Sequence, residues 1–123
     1  EETFGVRQHW AKDIKSHGIS QTIDNILAQL SDENIDELYV SFDIDAIDDS
    51  FASATGTPEP DGLMPEDAMD ILRALAVEYP ITGADMMEIA PFTDSCGQGV
   101  AGQEKTLKVG ADISAFLLKE MAK

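Results

Sequence analysis

The run LYVSFDI, Leu38 to Ile44, is the feature that most limits how this chain can fold. It is β-branched and aromatic, too short for a stable helix, and reads as a buried strand. Helical patterns flank it. Upstream, Ile23, Ile26, Leu27 and Leu30 recur at helical spacing over Gln21 to Leu30, with Ser20 placed to cap them. Downstream, a Gly/Pro/Thr loop from Ala46 to Leu63 leads to Pro65, which suits a first helical turn, and Glu66 and Asp67 favour that turn's positive end. Ala68, Leu72, Leu75 and Ala76 give this helix an apolar stripe, and Pro80 follows its end. Thr3 to Arg7 and Ala84 to Ile89 are two further strand candidates, and Glu104 to Met121 closes the chain with Leu107, Ala111, Leu118 and Met121 on one face. Strand–helix alternation of this kind implies an α/β fold, a parallel sheet with flanking helices in three βα units. Parallel sheets are covered on both faces, so three strands are marginal alone and the chain is expected to belong to a larger unit.

Charge narrows the function. Lys and Arg total 8 and Asp and Glu total 24, a net charge of −16 over 123 residues. Such a surface repels phosphates, which argues against nucleic acid and anionic membranes as partners. The single cysteine, Cys96, excludes an internal disulfide and fits a reducing, cytoplasmic compartment. Nothing nearby lowers its pKa, so it reads as non-catalytic. No apolar run approaches the roughly 18 residues that span a bilayer. His9 and His17 read as loop histidines, Met86 and Met87 as core packing, and the acidic surplus from Asp32 to Glu37 as a solvated edge.

The most informative segment is SFDIDAIDDSFASATGTPEPDGL, Ser41 to Leu63. Strand alternation puts Asp43 and Asp45 on one side, with Phe42 and Ile44 on the other. They stand at the carboxyl end of a strand, where open α/β sheets bind ligands. Adjacent carboxylates repel unless something positive lies between them. A hard divalent ion such as Mg²⁺ or Mn²⁺ would supply that charge, whereas turn capping or solvation is the plainer alternative. An EF-hand fails, because its fifth, sixth and twelfth positions counted from Asp43 hold Ile47, Asp48 and Ala54. A haloacid-dehalogenase-like phosphatase with Asp43 as nucleophile stays open, although Ala46 and Ile47 replace the usual Gly and Thr or Val. A glycosyltransferase D-x-D lacks a nucleotide-binding signature beside it.

The longer string, S-F-D-I-D followed by A-T-G-T-P-E-P-D-G-L, resembles the signature of the ureohydrolase family of arginases and agmatinases. Asp85-Met-Met-Glu-Ile-Ala-Pro91 is similar to that family's second segment, in the right order and at a similar separation. The resemblance runs from about Gly5 to the C-terminus. It implies that residues 1–123 are the C-terminal part of a single arginase-like three-layer α/β domain, without its N-terminal half. It further implies that Asp43 bridges two Mn²⁺ ions and Asp45 binds one of them. Glu88 would pair with the guanidinium of a small cationic substrate, with Thr57 near it, and the full-length protein would be a homo-oligomer, a trimer or hexamer. The reaction implied is Mn-dependent hydrolysis of a guanidino compound to urea and an amine, closer to agmatinases than to animal arginases.

This chain departs from the family at Asp49 and Ser53, where proline is usual, which implies a looser loop, and at Met64, a poorer N-cap than the usual Thr or Ser. The family's Gly-Gly-Asp-His and Asp-Ala-His-x-Asp segments do not occur. The 123-residue chain alone is therefore expected to be inactive, and a non-catalytic remnant serving in assembly is the remaining alternative.

Overall fold

The computed structural model describes residues 5–93 and 97–123. Along the chain these form α1 (Ala11–His17), α2 (Ile19–Asp32), β1 (Leu38–Asp43), a 3₁₀ turn (Ile44–Ala46), α3 (Pro65–Glu78), β2 (Ile81–Met87) and α4 (Gly99–Met121). The strands run parallel, with Ser41 opposite Asp85 and Asp43 opposite Met87. The α/β class is as expected, but the number of units is not. Residues 5–7 of the first strand candidate form no strand, while Thr3 and Phe4 fall outside the described residues. Two βα units, rather than three, follow an N-terminal helix pair that breaks at Gly18.

Helix boundaries moved where capping or packing outweighed periodicity. The cap of α2 is Gly18, not Ser20, and Ser16-His17-Gly18 ends a short helix that polar residues disguised as loop. Pro65 opens α3, and its cap Met64 makes no side-chain bond, as its chemistry requires. In α4 the expected face holds only at Met121, which packs against the core. Leu107 and Leu118 are exposed, while Thr106, Val109, Gly110, Ile113 and Leu117 are buried. The buried set also obeys helical spacing, and β2 packs against it.

The core gathers Ile44, Ile47, Ala52, Ala68, Leu72, Ile81, Val109, Ile113 and Leu117. Leu38, Val40 and Phe42 pack against it from one face of β1. Tyr39, Ser41 and Asp43 occupy the other face and are exposed, so β1 is buried on one side only. Met86 joins the core as expected, but Met87 is exposed. Among the described residues no helix is long and apolar enough to cross a membrane.

The loop after the 3₁₀ turn is packed, not loose. Its neck is closed by the Asp48 amide donating to the Leu63 carbonyl (2.9 Å) and the Leu63 amide to the Ala46 carbonyl (2.8 Å). The Ser50 amide and hydroxyl both donate to Asp48, which holds that carboxylate below its usual range. Ala52, Ser53, Ala54 and Thr55 are buried, the Ala54 amide donating to the Thr106 hydroxyl (3.0 Å), which itself donates to the Gly102 carbonyl (2.8 Å). Seating on α4 supplies the rigidity that proline at positions 49 and 53 would have given.

Thr55 is the exception within this seat: its hydroxyl is fully buried without a partner among the described residues. A buried polar group left unpaired costs about 1–3 kcal/mol. Thr55→Val keeps the shape and removes that cost, so it is expected to stabilise the protein by about 1 kcal/mol in urea denaturation.

Candidate functional site

At the carboxyl end of β1, the side chain of Asp43 turns back to accept a hydrogen bond from the Asp45 amide (3.2 Å). That cap diverts the backbone into the 3₁₀ turn, because Asx side chains compete with sheet bonding and the register with β2 ends at Met87. Asp45 therefore does not lie on the strand, as simple alternation required. The two carboxylates nevertheless stay close enough that Asp45 raises the pKa of Asp43.

The TGTP loop closes over this pair. Thr57 Oγ1 donates to Asp45 Oδ2 at 2.6 Å, a bond between side chains. Glu88 approaches from β2, just beyond the strand's end. Its φ is 65°, a left-handed conformation that glutamate rarely adopts and that surrounding structure must enforce. One such tie is the Ala90 amide, which donates to the Ala54 carbonyl at 2.9 Å. A Cβ built on Gly56 would lie 3.7 Å from Glu88 Oε2, so the loop passes beside this carboxylate. Sequence reasoning gave no sign of the left-handed turn, since neither Gly nor Asn marks it.

The electrostatics follow from this crowding. Burial raises the pKa of Asp43 most, and the nearby carboxylates of Asp45 and Glu88 raise it further, against the lowering effect of the Asp45 amide. Among the described residues no ion pair involves Asp43, Asp45 or Glu88. The cluster is thus anionic among the described residues.

Carboxylate oxygens of Asp43 and Asp45 are the donor chemistry that hard divalent ions such as Mn²⁺ prefer, so these residues fit a metal as part of its shell. Among the described residues no three acidic, histidine or cysteine side chains are grouped to hold one. Glu88 stands near the pair, beside Gly56 of the loop that closes over it. His9 is elsewhere: its Nε2 pairs with Gln29 Oε1 (3.2 Å) on α2. Cys96 lies outside the described residues.

Comparison with known proteins gives one consistent result. The arginase family profile matches residues 1–118. A proclavaminate amidinohydrolase from Streptomyces clavuligerus is 37% identical over 93 residues, covering 76% of this chain and 28% of that protein. An agmatinase from Chromobacterium violaceum is 36% identical over 94 residues, with the same two coverages. The solved structure of the Streptomyces clavuligerus amidinohydrolase superposes on 98% of this chain with a TM-score of 0.77 at 31% identity, and 36% of that structure is covered. The chain thus spans about a third of the length of these relatives.

Proposed function

As the chain belongs to the arginase family, we propose that its Asp43–Asp45–Thr57–Glu88 cluster is the metal- and guanidinium-binding end of an agmatinase-like, Mn²⁺-dependent guanidino-hydrolase. The observation that carries this reading is the Asp43–Asp45 pair with Glu88 near enough to raise the pKa of Asp43, and no ion pair to any of the three among the described residues. Asp43 and Asp45 would hold the ion. When bound, a divalent metal lowers the pKa of water enough to make a nucleophile at neutral pH.

The chain's own groups do the rest. The two oxygens of Glu88 match the planar N–H fork of a guanidinium, a charge-assisted pairing that fixes orientation as well as affinity. Held there, the electrophilic guanidinium carbon faces the Asp43–Asp45 side of the site, so that attack becomes effectively intramolecular. Thr57 fixes the rotamer of Asp45 through its 2.6 Å bond and brings the loop to the substrate's side of the pair. Hydrolysis releases urea and leaves the amine. The ligands that two aspartates cannot supply would come from protein beyond these residues, and the 123-residue chain by itself is expected to be inactive.

The same negative field weighs against the phosphatase reading. A phosphate monoester would have to enter a site already crowded with carboxylates, whereas a guanidinium is drawn to it. The substrate class is tested at Glu88. In an active enzyme containing these residues, Glu88→Gln is expected to lower kcat/KM for agmatine or a guanidino acid by about a hundredfold or more, with Mn²⁺ content unchanged. Equal activity in the variant would exclude Glu88 as the guanidinium partner.

A further inference from the structure

Asp85 is drawn into a bonding pattern that the site itself does not require. Its Oδ2 accepts from the Tyr39 hydroxyl at 2.9 Å and its Oδ1 from the Ser41 hydroxyl at 2.7 Å. Tyr39 and Ser41 alternate along the exposed face of β1, and the next residue on that face is Asp43. The three groups are fitted to one another. Gly83 pairs with Tyr39 across the strands, and a Cβ on Gly83 would stand 2.6 Å from Tyr39 Cδ2. Only a missing side chain lets the ring lie across β2 and reach Asp85.

Among the described residues the sheet has two strands, so few ladder bonds fix the separation of the ends of β1 and β2. Two bonds to one carboxylate provide it at the pair Ser41–Asp85, two residues before Asp43 and three before Glu88. Beyond that point the chain must hold Glu88 at a φ of 65°, which persists only where neighbouring structure over-determines it.

We propose that Asp85 is a positioning residue that clamps β1 to β2 through Tyr39 and Ser41, holding the Glu88 carboxylate opposite the Asp43–Asp45 pair. The inference rests on the guanidino-hydrolase reading for what Glu88 does there. The geometry of the clamp stands apart from it.

Two measurements on the protein test the clamp, using Asp85→Ala, the double variant Tyr39→Phe/Ser41→Ala, and Asp85→Asn, which keeps one acceptor oxygen. By amide hydrogen exchange, residues 42–43, 86–87 and Ala90 should exchange about tenfold faster in the first two variants, with α3 and α4 unchanged. With substoichiometric Mn²⁺, the wild-type amides of Asp45 and Glu88 should both broaden in NMR spectra. Broadening at Glu88 should weaken relative to that at Asp45 in the first two variants. Asp85→Asn should recover most of the wild-type ratio. Unchanged exchange at residues 86–87 and Ala90, equal acceleration throughout α3 and α4, or a Glu88-to-Asp45 broadening ratio unchanged by loss of the clamp would each overturn the proposal. Absence of Mn²⁺ broadening at wild-type Asp45 would instead count against the metal site, and exchange would still decide the clamp.

Discussion

Asp43→Asn is expected to weaken Mn²⁺ binding by about tenfold or more while leaving the metal-free protein as stable as wild type, or more so. The two effects have one cause. The carboxylate of Asp43 is partly desolvated and faces Asp45 and Glu88, so its ionised form is disfavoured in the folded state. Its raised pKa means that the folded state holds this proton more tightly than the unfolded state. That contribution to stability is fully present below the unfolded pKa and is lost as pH rises through the folded value. At neutral pH the site therefore carries repulsion that Asn relieves and a divalent ion relieves better. Wild-type protein at a Mn²⁺ concentration about 100 times the dissociation constant should gain roughly 2.7 kcal/mol from binding. The variant should gain far less at the same concentration. Urea melts with and without Mn²⁺, paired with electron paramagnetic resonance of the free ion, read both quantities. A metal-free variant clearly less stable than wild type would mean that Asp43 is structural.

Gly62→Ala is expected to cost about 3 kcal/mol, although the residue has no chemistry of its own. A Cβ there would stand 2.6 Å from the Asp48 amide nitrogen, 2.7 Å from the Ile47 carbonyl carbon and 2.9 Å from the Ala46 oxygen. All three are backbone atoms, so no side chain can swing aside. They also belong to the loop's neck, where the Asp48 amide donates to the Leu63 carbonyl and the Leu63 amide to the Ala46 carbonyl. Opening the neck displaces the 3₁₀ turn that carries Asp45, so Mn²⁺ affinity should fall together with stability. The denaturation midpoint should drop at unchanged slope. A loss below about 1 kcal/mol would show that the neck has slack.

What could be read in advance divides along physical lines. Local signals were legible: Pro65 opening α3, the aromatic and β-branched β1, and the acidic pair at its end. Signals that depend on what covers a surface were not. Leu107, Ala111 and Leu118 satisfy helical spacing as well as the buried stripe does, and only contact with β2 decides between them. Alternation placed Asp45 on the strand because it could not know that Asp43 would cap its own neighbour. The grouping of Thr57 and Glu88 with the Asp43–Asp45 pair was carried by resemblance, for residues 12 to 45 positions from that pair share no period with it. Thr106, which supports the loop from α4, was missed, although the glycine at 102 one turn earlier marks a close approach. The left-handed Glu88 and the Asp85 clamp had no local signal.

The claim that these carboxylates form one metal and guanidinium site is tested most directly by mapping where Mn²⁺ binds. Substoichiometric Mn²⁺ added to isotope-labelled protein should broaden the amides of residues 43–46, Gly56, Thr57 and Glu88 first, with the exposed acidic stretch 32–37 affected only at higher concentration. Sharp resonances at 43–46 alongside early broadening at 32–37 would contradict the account, leaving the Asp43–Asp45 pair a capped turn and the charge of −16 a matter of solubility.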